Sequence, residues 1–283
     1  MRIGIITYHW PANFGANLQA LATSRWLMAQ GHSVHMIDYR PPALVEKYRR
    51  TVPAEQFEAH AEFCAKHLPL TQTVAAQWDI DSVVQDLELD GAFSGSDAVF
   101  RLNYRLNRED TTFPNPFWLN WAAERDMFRG AIAASAMGTN FLALPGPARR
   151  GVAASLAAMD RVTVRDYWSQ VMVGLITGGR TRARFLPDPV MVLKEVFDPF
   201  QCPASDSQFA EPYVLVASPS GIVRDDWMRS FVSAAHRRGL AVLGLPMPEG
   251  DYAPGPLDYR IPLPLDPLDW YRWIARSKGY VCL

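Results

Sequence analysis

The first forty residues limit the fold more than any other stretch of the chain. Residues 3–8, Ile-Gly-Ile-Ile-Thr-Tyr, form a short apolar run of the kind that a strand covered on both faces needs. A loop follows, His9-Trp10-Pro11-Ala12-Asn13-Phe14-Gly15-Ala16. Leu18, Leu21, Ala22, Trp26 and Ala29 then recur at helical spacing and predict one buried stripe. Gly31 stands where a left-handed C-terminal cap belongs, residues 34–39 predict the next strand, and Pro41-Pro42 ends it. Strand, helix and strand with short joins imply a right-handed crossover and a parallel sheet. The expected class is α/β.

The pattern continues less regularly. Residues 43–88 read as mainly helical, with breaks near Pro53 and Pro69, and residues 90–94 read as a strand delivering Gly95-Ser96-Asp97 to its C-terminal end. Residues 98–128 fit no period, and Trp118 and Trp121 are expected to pack beneath that excursion. Further strands are predicted at 131–135, 162–164 and 185–186, with helices over about 147–159 and from Asp166 to about Ile176. Residues 195–212 carry Pro199, Pro203 and Pro212 without periodicity and read as a linker. A second unit then begins with a strand at 213–217. A helix over 225–237 is expected to bury Trp227, Phe231, Ala234 and Ala235, and a strand follows at 241–245. Asp266 caps a further helix with Pro267 in its first turn, and a strand begins at Gly279. The expected domains are 1–194 and 213–283, joined by 195–212. Three strands and two helices make about half of a doubly wound sheet, so the second domain reads as incomplete, with one face or edge poorly covered.

Composition bounds the function. A chain of 283 residues is long for one core. A net charge of −1 gives no global attraction to nucleic acid or to an anionic membrane. No apolar run approaches the roughly 20 residues of a membrane span, and Met1-Arg2 leads directly into a strand rather than a signal-peptide core. Cys64, Cys202 and Cys282 are odd in number and far apart, with no CxxC spacing. They suggest packing residues in a reducing, cytoplasmic compartment rather than disulfides or a zinc site, and no metal-ligand cluster is visible.

In open parallel sheets, ligands bind beyond the carboxyl ends of the strands. Four segments put small or polar residues there: Asn13-Phe14-Gly15, Gly95-Ser96-Asp97, Ser135-Ala136-Met137-Gly138 and Arg165-Asp166. Gly15 lets backbone approach a ligand at a helix start, where unpaired N–H groups favour an anion. Asn13 and Gln19 can donate hydrogen bonds to it. GxGxxG and Walker patterns are absent, so Asp38 is not read as a ribose ligand. Alternatives stand beside each role. Asp97 either acts on a substrate or caps the segment after its strand; Arg165 either meets an anion or pairs with a carboxylate such as Asp188. Ser135 either lines the site or faces the core, and Asp188 reads as a turn residue. His9 reads as packed or solvated, and Arg101, Arg105 and Arg108 as a solvated face.

The series Asn13-Phe14-Gly15-Ala16-Asn17-Leu18-Gln19 resembles the Asn-Tyr-Gly-Ala-x-Leu-Gln opening of the polysaccharide pyruvyl transferase family. Gly95-Ser96-Asp97, Ala134-Ser135 with Gly138, Val162-Thr163-Val164-Arg165-Asp166 and Asp188-Pro189 follow in the family's order. The resemblance covers about residues 2–193; the second unit matches in layout only. It implies two Rossmann-like domains, as in GT-B glycosyltransferases. It also implies pyruvyl transfer from phosphoenolpyruvate, a donor substrate with no further cofactor, to two hydroxyls of a sugar, forming a ketal. The acceptor would belong to a polysaccharide or its precursor, including a lipid-linked one, which leaves peripheral membrane contact open. Under the resemblance Asp97 orients or deprotonates a sugar hydroxyl and Arg165 meets the anionic donor. Asn13, Gly15, Gln19, Ser96 and Ser135 line the pocket. The sequence departs from the family at Ala98 and Phe100, where Gln and Trp are common, at Asp166, where Glu is common, and in reaching Leu283 before the family's Arg-x-His pair. The chain is thus expected to be truncated and weakly active or inactive. Weak binding follows from summing about 0.3–2 kcal/mol for a helix N-terminus with about 1.5–3 for one charged donor, the millimolar range. Two other readings stay open: a nucleotide-sugar glycosyltransferase of GT-B type, and a non-catalytic carbohydrate-binding or assembly protein. All the assigned roles rest on Asn13, Asp97 and Arg165 converging on one sheet rim.

Overall fold

The computed structural model describes residues 1–198, 209–219 and 221–282. Its elements run β1 (Arg2–Ile6), α1 (Phe14–Ala29), β2 (Ser33–Tyr39), α2 (Pro42–Thr51), α3 (Ala54–His67), β3 (Leu70–Val74), α4 (Ile80–Gln85), β4 (Gly91–Asp97) and β5 (Phe128–Ala134). They continue with α5 (Gly146–Ala157), β6 (Arg161–Val164), α6 (Tyr167–Ile176), β7 (Arg184–Phe185) and α7 (Leu193–Val196). The last group is β8 (Tyr213–Ala217), α8 (Asp225–His236), β9 (Ala241–Gly244), β10 (Tyr259–Arg260), α9 (Pro267–Arg276) and β11 (Tyr280–Cys282).

The chain divides into two compact units. The first comprises Met1–Pro11, Gly15–Lys47 and Cys64–Phe197; the second comprises Ala12–Phe14, Tyr48–Phe63 and Asp198–Leu283. The division therefore differs from a continuous domain over 1–194, because two internal segments group with the C-terminal part. Within the stretch read as a linker, Glu195 and Val196 end α7. Pro199, Cys202 and Pro203 lie outside the described residues, as does Leu283.

The first unit is a seven-stranded sheet in the order β3-β2-β1-β4-β5-β6-β7, parallel throughout. Ile3, Ile5 and Ile6 are buried, as the central strand of a doubly covered sheet requires. Leu18, Leu21 and Ala22 of α1 are buried too, and Gly31 closes that helix at φ 83°. Trp26 and Ala29 depart from the predicted stripe: both are exposed, and Leu27 takes the inward position in the last turn. β3 lies inside a stretch expected to be helical. Its polar sequence, Leu-Thr-Gln-Thr-Val, sits at the sheet edge with one buried residue, so it shows no apolar strand signal. The excursion after β4 is a chain of short 3₁₀ turns, two of them capped by the side chains of Asn103 and Asn115. Trp118 stacks on Phe100 at 4.8 Å between centroids, and Trp121 donates from Nε1 to the Pro116 carbonyl at 3.1 Å. Both indoles are buried as expected.

The second unit is a parallel four-stranded sheet in the order β10-β9-β8-β11. Met228, Val232 and Ala235 of α8 are buried; Trp227, expected to be buried, is exposed. Leu215, Leu243 and Trp273 form one core with Phe14, whose ring stacks on Trp270 at 5.2 Å and meets the His60 ring in a tilted contact at 4.8 Å. Gln56 clamps the Leu265 backbone, donating to its carbonyl at 2.9 Å and accepting from its N–H at 2.6 Å. These contacts explain why Ala12–Phe14 and Tyr48–Phe63 group with this unit. Asp266 caps α9 by accepting from Leu268 N at 2.7 Å, as the Asp-Pro signal predicts. Among the described residues no helix is long and apolar enough to cross a membrane.

Gly95 adopts φ 114°, and a Cβ there would lie 2.2 Å from the Ile132 carbonyl oxygen. Gly95→Ala is expected to lose at least ~2 kcal/mol in urea unfolding; a loss below ~0.5 kcal/mol contradicts the close packing. In the second unit, burial lowers the pKa of His60 from 6.5 to about 3. The unfolded chain takes up this proton first, so folding stability falls as pH drops below 6.5, by at most ~1.4 kcal/mol per pH unit. His60→Leu removes that slope. The stability advantage of wild type over the variant is expected to shrink between pH 7.5 and pH 5 in urea titrations, and a pH-independent difference contradicts it.

Candidate functional site

The candidate site lies at the C-terminal rim of the seven-stranded sheet. Parallel pairing brings the ends of β4, β5 and β6 side by side, with Asp97 in register with Ala134 and Ala134 with Val164. Backbone bonds continue past the strands: Ser135 N donates to the Asp97 carbonyl at 2.8 Å, and Arg165 N to the Ala134 carbonyl at 3.3 Å. The β5–β6 register shifts between Ala131 and Ala134, and Ala133 there has φ 46°. Irregularities of this kind re-aim side chains at strand ends. Asp97 itself has φ 76°, a left-handed conformation that Asp tolerates better than most residues.

Asp97 and Arg165, predicted from the sequence, meet here. Arg165 Nη2 donates to Asp97 Oδ1 at 3.1 Å, and Nη1 donates to Asp188 Oδ2. The three side chains are each about a quarter exposed (21–29%), so substrate can reach them. Asp188 also caps the turn after it by accepting from Val190 N at 3.1 Å, serving both as turn residue and as ion-pair partner. Burial pushes the Asp97 carboxyl above its ordinary value, and nearby Asp188 adds to that, while Arg165 and the Ala98 N–H at 2.7 Å pull the other way. Arg165 therefore does not stand as an open anion receptor: both halves of its fork engage carboxylates.

A second cluster adjoins the first. Tyr8, just beyond β1, donates from its hydroxyl to Asp110 Oδ2 at 2.8 Å, and Arg108 holds Asp110 in a two-pronged contact at 3.0 and 2.9 Å. Arg108 is thus an ion-pair partner rather than part of a purely solvated face. Burial raises the Tyr8 pKa well above its ordinary value, with Asp110 and then Asp97 contributing. Tyr8 was not singled out in the sequence; its place directly after the first strand was the available signal. Arg101 touches Met137 Sδ through Nη1 at 3.7 Å and pairs with no carboxylate among the described residues.

The other predicted residues lie lower or elsewhere. Gln19, Ser96 and Ser135 are buried and bonded within the protein. Gln19 Oε1 accepts from Ser96 N at 3.1 Å, Ser96 Oγ donates to the Ala133 carbonyl at 3.0 Å, and Ser135 Oγ accepts from Met137 N at 3.0 Å. Gly15 is exposed in the first turn of α1, whereas Asn13 belongs to the second unit. Asp166 caps α6 through Ser169 N at 2.7 Å; partial burial works against its charge, but bonds from Ser169 and Ser135 hold its pKa below the ordinary value. His9 is fully buried, with Nε2 2.9 Å from Asp38 Oδ1. Asp38 also accepts from Arg40 at 2.7 Å and Thr73 at 2.6 Å, so it is a structural acid, as the missing dinucleotide pattern implies. Among the described residues no group of three or more His, Cys, Asp or Glu is placed to hold a metal ion.

The sequence matches the profile of polysaccharide pyruvyl transferases over residues 13–282. The chain belongs to the polysaccharide pyruvyl transferase family. A comparison with curated proteins found no match. Among solved structures, the Staphylococcus aureus MnaA–UDP complex is similar with 10% identity and a TM-score of 0.51, over 100% of this chain and 74% of that one. A putative UDP-N-acetylglucosamine 2-epimerase from Listeria monocytogenes is similar with 8% identity and a TM-score of 0.52, over the same shares. At these identities the likeness concerns the fold, which is α/β with Rossmann-like units of the GT-B type. The family match reaches well into the second unit of this chain, where the sequence motifs resemble the family only in layout.

The opposed influences on Asp97 give a direct test. In carboxyl-carbon NMR titrations its midpoint is expected above the ordinary Asp value of 3.8. Arg165→Gln removes the stabilising cation and raises the midpoint further; Asp188→Asn removes a like charge and lowers it. Shifts of the opposite sign contradict the ion-pair geometry.

Proposed function

We propose that this chain transfers a pyruvyl group from phosphoenolpyruvate to two hydroxyls of one sugar residue in a polysaccharide or its precursor. In the reaction a proton adds to the methylene carbon, and two C–O bonds form at the central carbon. The bond from that carbon to the phosphate oxygen breaks. One of the two hydroxyl protons is balanced by the new methyl C–H and the other by the released phosphate. The products are a cyclic ketal and inorganic phosphate.

The observation that carries this reading is Asp97. Its carboxyl is reachable, raised in proton affinity and held by Arg165 at the rim where family motifs meet. A carboxylate tuned upward in this way is better matched to taking a proton from a hydroxyl than an ordinary Asp. Arg165 then acts as a positioning residue that keeps Asp97 aimed and largely ionised. The donor's carboxylate and phosphate need cations, and Arg101, which among the described residues contacts the Met137 thioether and no carboxylate, is the guanidinium assigned to them. N–H groups in the first turn of α1, at Gly15, add to that attraction.

Asp97→Asn keeps the size of the side chain and removes the base. It is expected to lower acceptor-dependent phosphate release from phosphoenolpyruvate by about 10²–10⁴-fold, with the variant's thermal unfolding unchanged within a few degrees. Phosphate release that survives the substitution removes Asp97 from the chemistry. Release of a nucleotide from a sugar nucleotide, with none of phosphate from phosphoenolpyruvate, replaces the reaction by glycosyl transfer.

A further inference from the structure

The first unit carries a concave feature that none of the family motifs reaches. It is a groove of about 1140 Å³, larger than the about 300–1,000 Å³ of pockets that enclose a small ligand. It opens beyond the C-terminal ends of β2 and β3, between the loop and turn at 75–79 and the excursion at 109–125. We propose that this groove binds an uncharged oligosaccharide and so fixes which glycan is pyruvylated; the link to pyruvylation rests on the function proposed above.

The lining chemistry selects that class. Trp78 is 79% exposed, the most exposed large apolar side chain among the described residues, and it lies on a 3₁₀ turn at the groove. Trp121 lines the groove as well. An indole facing solvent costs free energy unless a partner covers it, and its flat apolar face suits the C–H face of a pyranose. Gln77, Asn115 and Asn120 supply amides, which both donate to and accept from hydroxyls. Asp79, Asp81, Glu109 and Glu124 add carboxylates against the single guanidinium of Arg125. Arg125 is already bonded to Asp81 at 3.0 Å, so three of the four carboxylates remain uncompensated by it. Hydroxyls satisfy such acceptors, whereas a uronate or phosphate-bearing chain would meet like charge at close range.

The groove also connects to the rim. Tyr39 and Glu109 line it; the Tyr39 ring packs on Phe117 at 5.7 Å, and Phe117 on Tyr8 at 4.7 Å. Glu109 is the neighbour of Asp110, which holds the Tyr8 hydroxyl. The buried rings of Tyr39 and Phe117 and the Glu109–Asp110 step thus join the wall of the groove to the Tyr8 hydroxyl.

The full chain can be tested on an array of uncharged hexose oligosaccharides and length-matched hexuronate oligosaccharides, followed by calorimetry on any binder. Binding is expected among the uncharged set only. Trp78→Ala is expected to weaken it at least tenfold, and Glu109→Gln with Glu124→Gln is expected to admit hexuronates. Equal binding of both sets by the wild-type protein, no binding to either, or full affinity in Trp78→Ala each overturns the proposal. Because the array needs neither donor nor turnover, its outcome is separate from that of the phosphate assay. Glycan binding through Trp78 without phosphate release leaves the groove assignment standing and rejects pyruvyl transfer. Phosphate release with an acceptor KM unchanged in Trp78→Ala does the reverse.

Discussion

One buried amide holds the rim together. Gln19, in the second turn of α1, donates from Nε2 to Thr7 Oγ1 at 3.1 Å, to the Tyr8 carbonyl at 3.2 Å and to the Ala16 carbonyl at 2.9 Å. Its Oε1 accepts from Ser96 N at 3.1 Å, and Thr7 Oγ1 donates to the Ser96 carbonyl at 2.8 Å. The end of β1, the end of β4 and the start of α1 are thus tied through one side chain. Gln19, Thr7 and Ser96 are buried, so losing the amide would strand polar groups at about 1–3 kcal/mol each. Asn17 does the same for the preceding loop, donating to the His9 carbonyl at 2.6 Å and the Pro11 carbonyl at 3.3 Å. Residues of the Asn-x-Gly-Ala-x-Leu-Gln series therefore build the floor on which the reactive groups stand.

That floor explains the electrostatics above it. Ser96 is fixed from both sides, by Gln19 and by the Ala133 carbonyl, and Asp97 follows it directly. The side chain has little freedom to turn to bulk water, and its proton affinity is set by its neighbours. Arg165 is divided between two carboxylates, whereas Arg108 pairs, among the described residues, with Asp110 alone. Formally the Arg165 group keeps one negative charge and the Arg108 group none. A site with this balance does not attract an anion through Arg165; it favours a neutral group that can give up a proton. The role of Arg165 shifts accordingly, from holding the donor to holding Asp97.

The sheet was legible because its strands are short apolar runs separated by helices with clear caps: Gly31, Asp166 and Asp266 each occupy the cap that their residue type implies. Two of the edge strands, β3 and β10, were not. β3 is polar and β10 has two residues, and neither carries the burial that leaves a pattern. Exposure of Trp26 and Trp227 was missed for a related reason, since helical periodicity assigns a stripe but not its width. At the site, Asp97 and Arg165 were visible as polar residues at predicted strand ends. The partition of Ser96, Ser135 and Gln19 into the floor was not, because a hydroxyl or amide beside a pocket looks the same in sequence whether it bonds a ligand or the adjacent backbone. Nor could spacing reveal that Tyr8 and Asp110, 102 residues apart, share a proton donor and acceptor. The grouping of Tyr48–Phe63 with the C-terminal unit depends on Gln56 and Leu265, separated by 209 positions, beyond the reach of any local pattern.

Charge also sorts the two substrates on the proposed reading. Phosphoenolpyruvate carries a carboxylate and a phosphate, while the groove beside the rim holds three carboxylates that its one arginine leaves uncompensated. A unit-charge pair 10 Å apart repels by about 0.4 kcal/mol in water and about 1.7 at an effective dielectric constant of 20. Several such pairs separate two binding regions without any steric barrier. The donor is directed towards Arg101 and away from the groove, which stays open to a hydroxyl-rich, uncharged chain. The same carboxylates that exclude the donor from the groove raise the energy of any acceptor already carrying an acidic substituent. A pyruvyl ketal is itself such a substituent, because it leaves a carboxylate on the sugar. The product is therefore less well tolerated in the groove than the substrate it came from, and its release is favoured by the charge that the reaction has just installed.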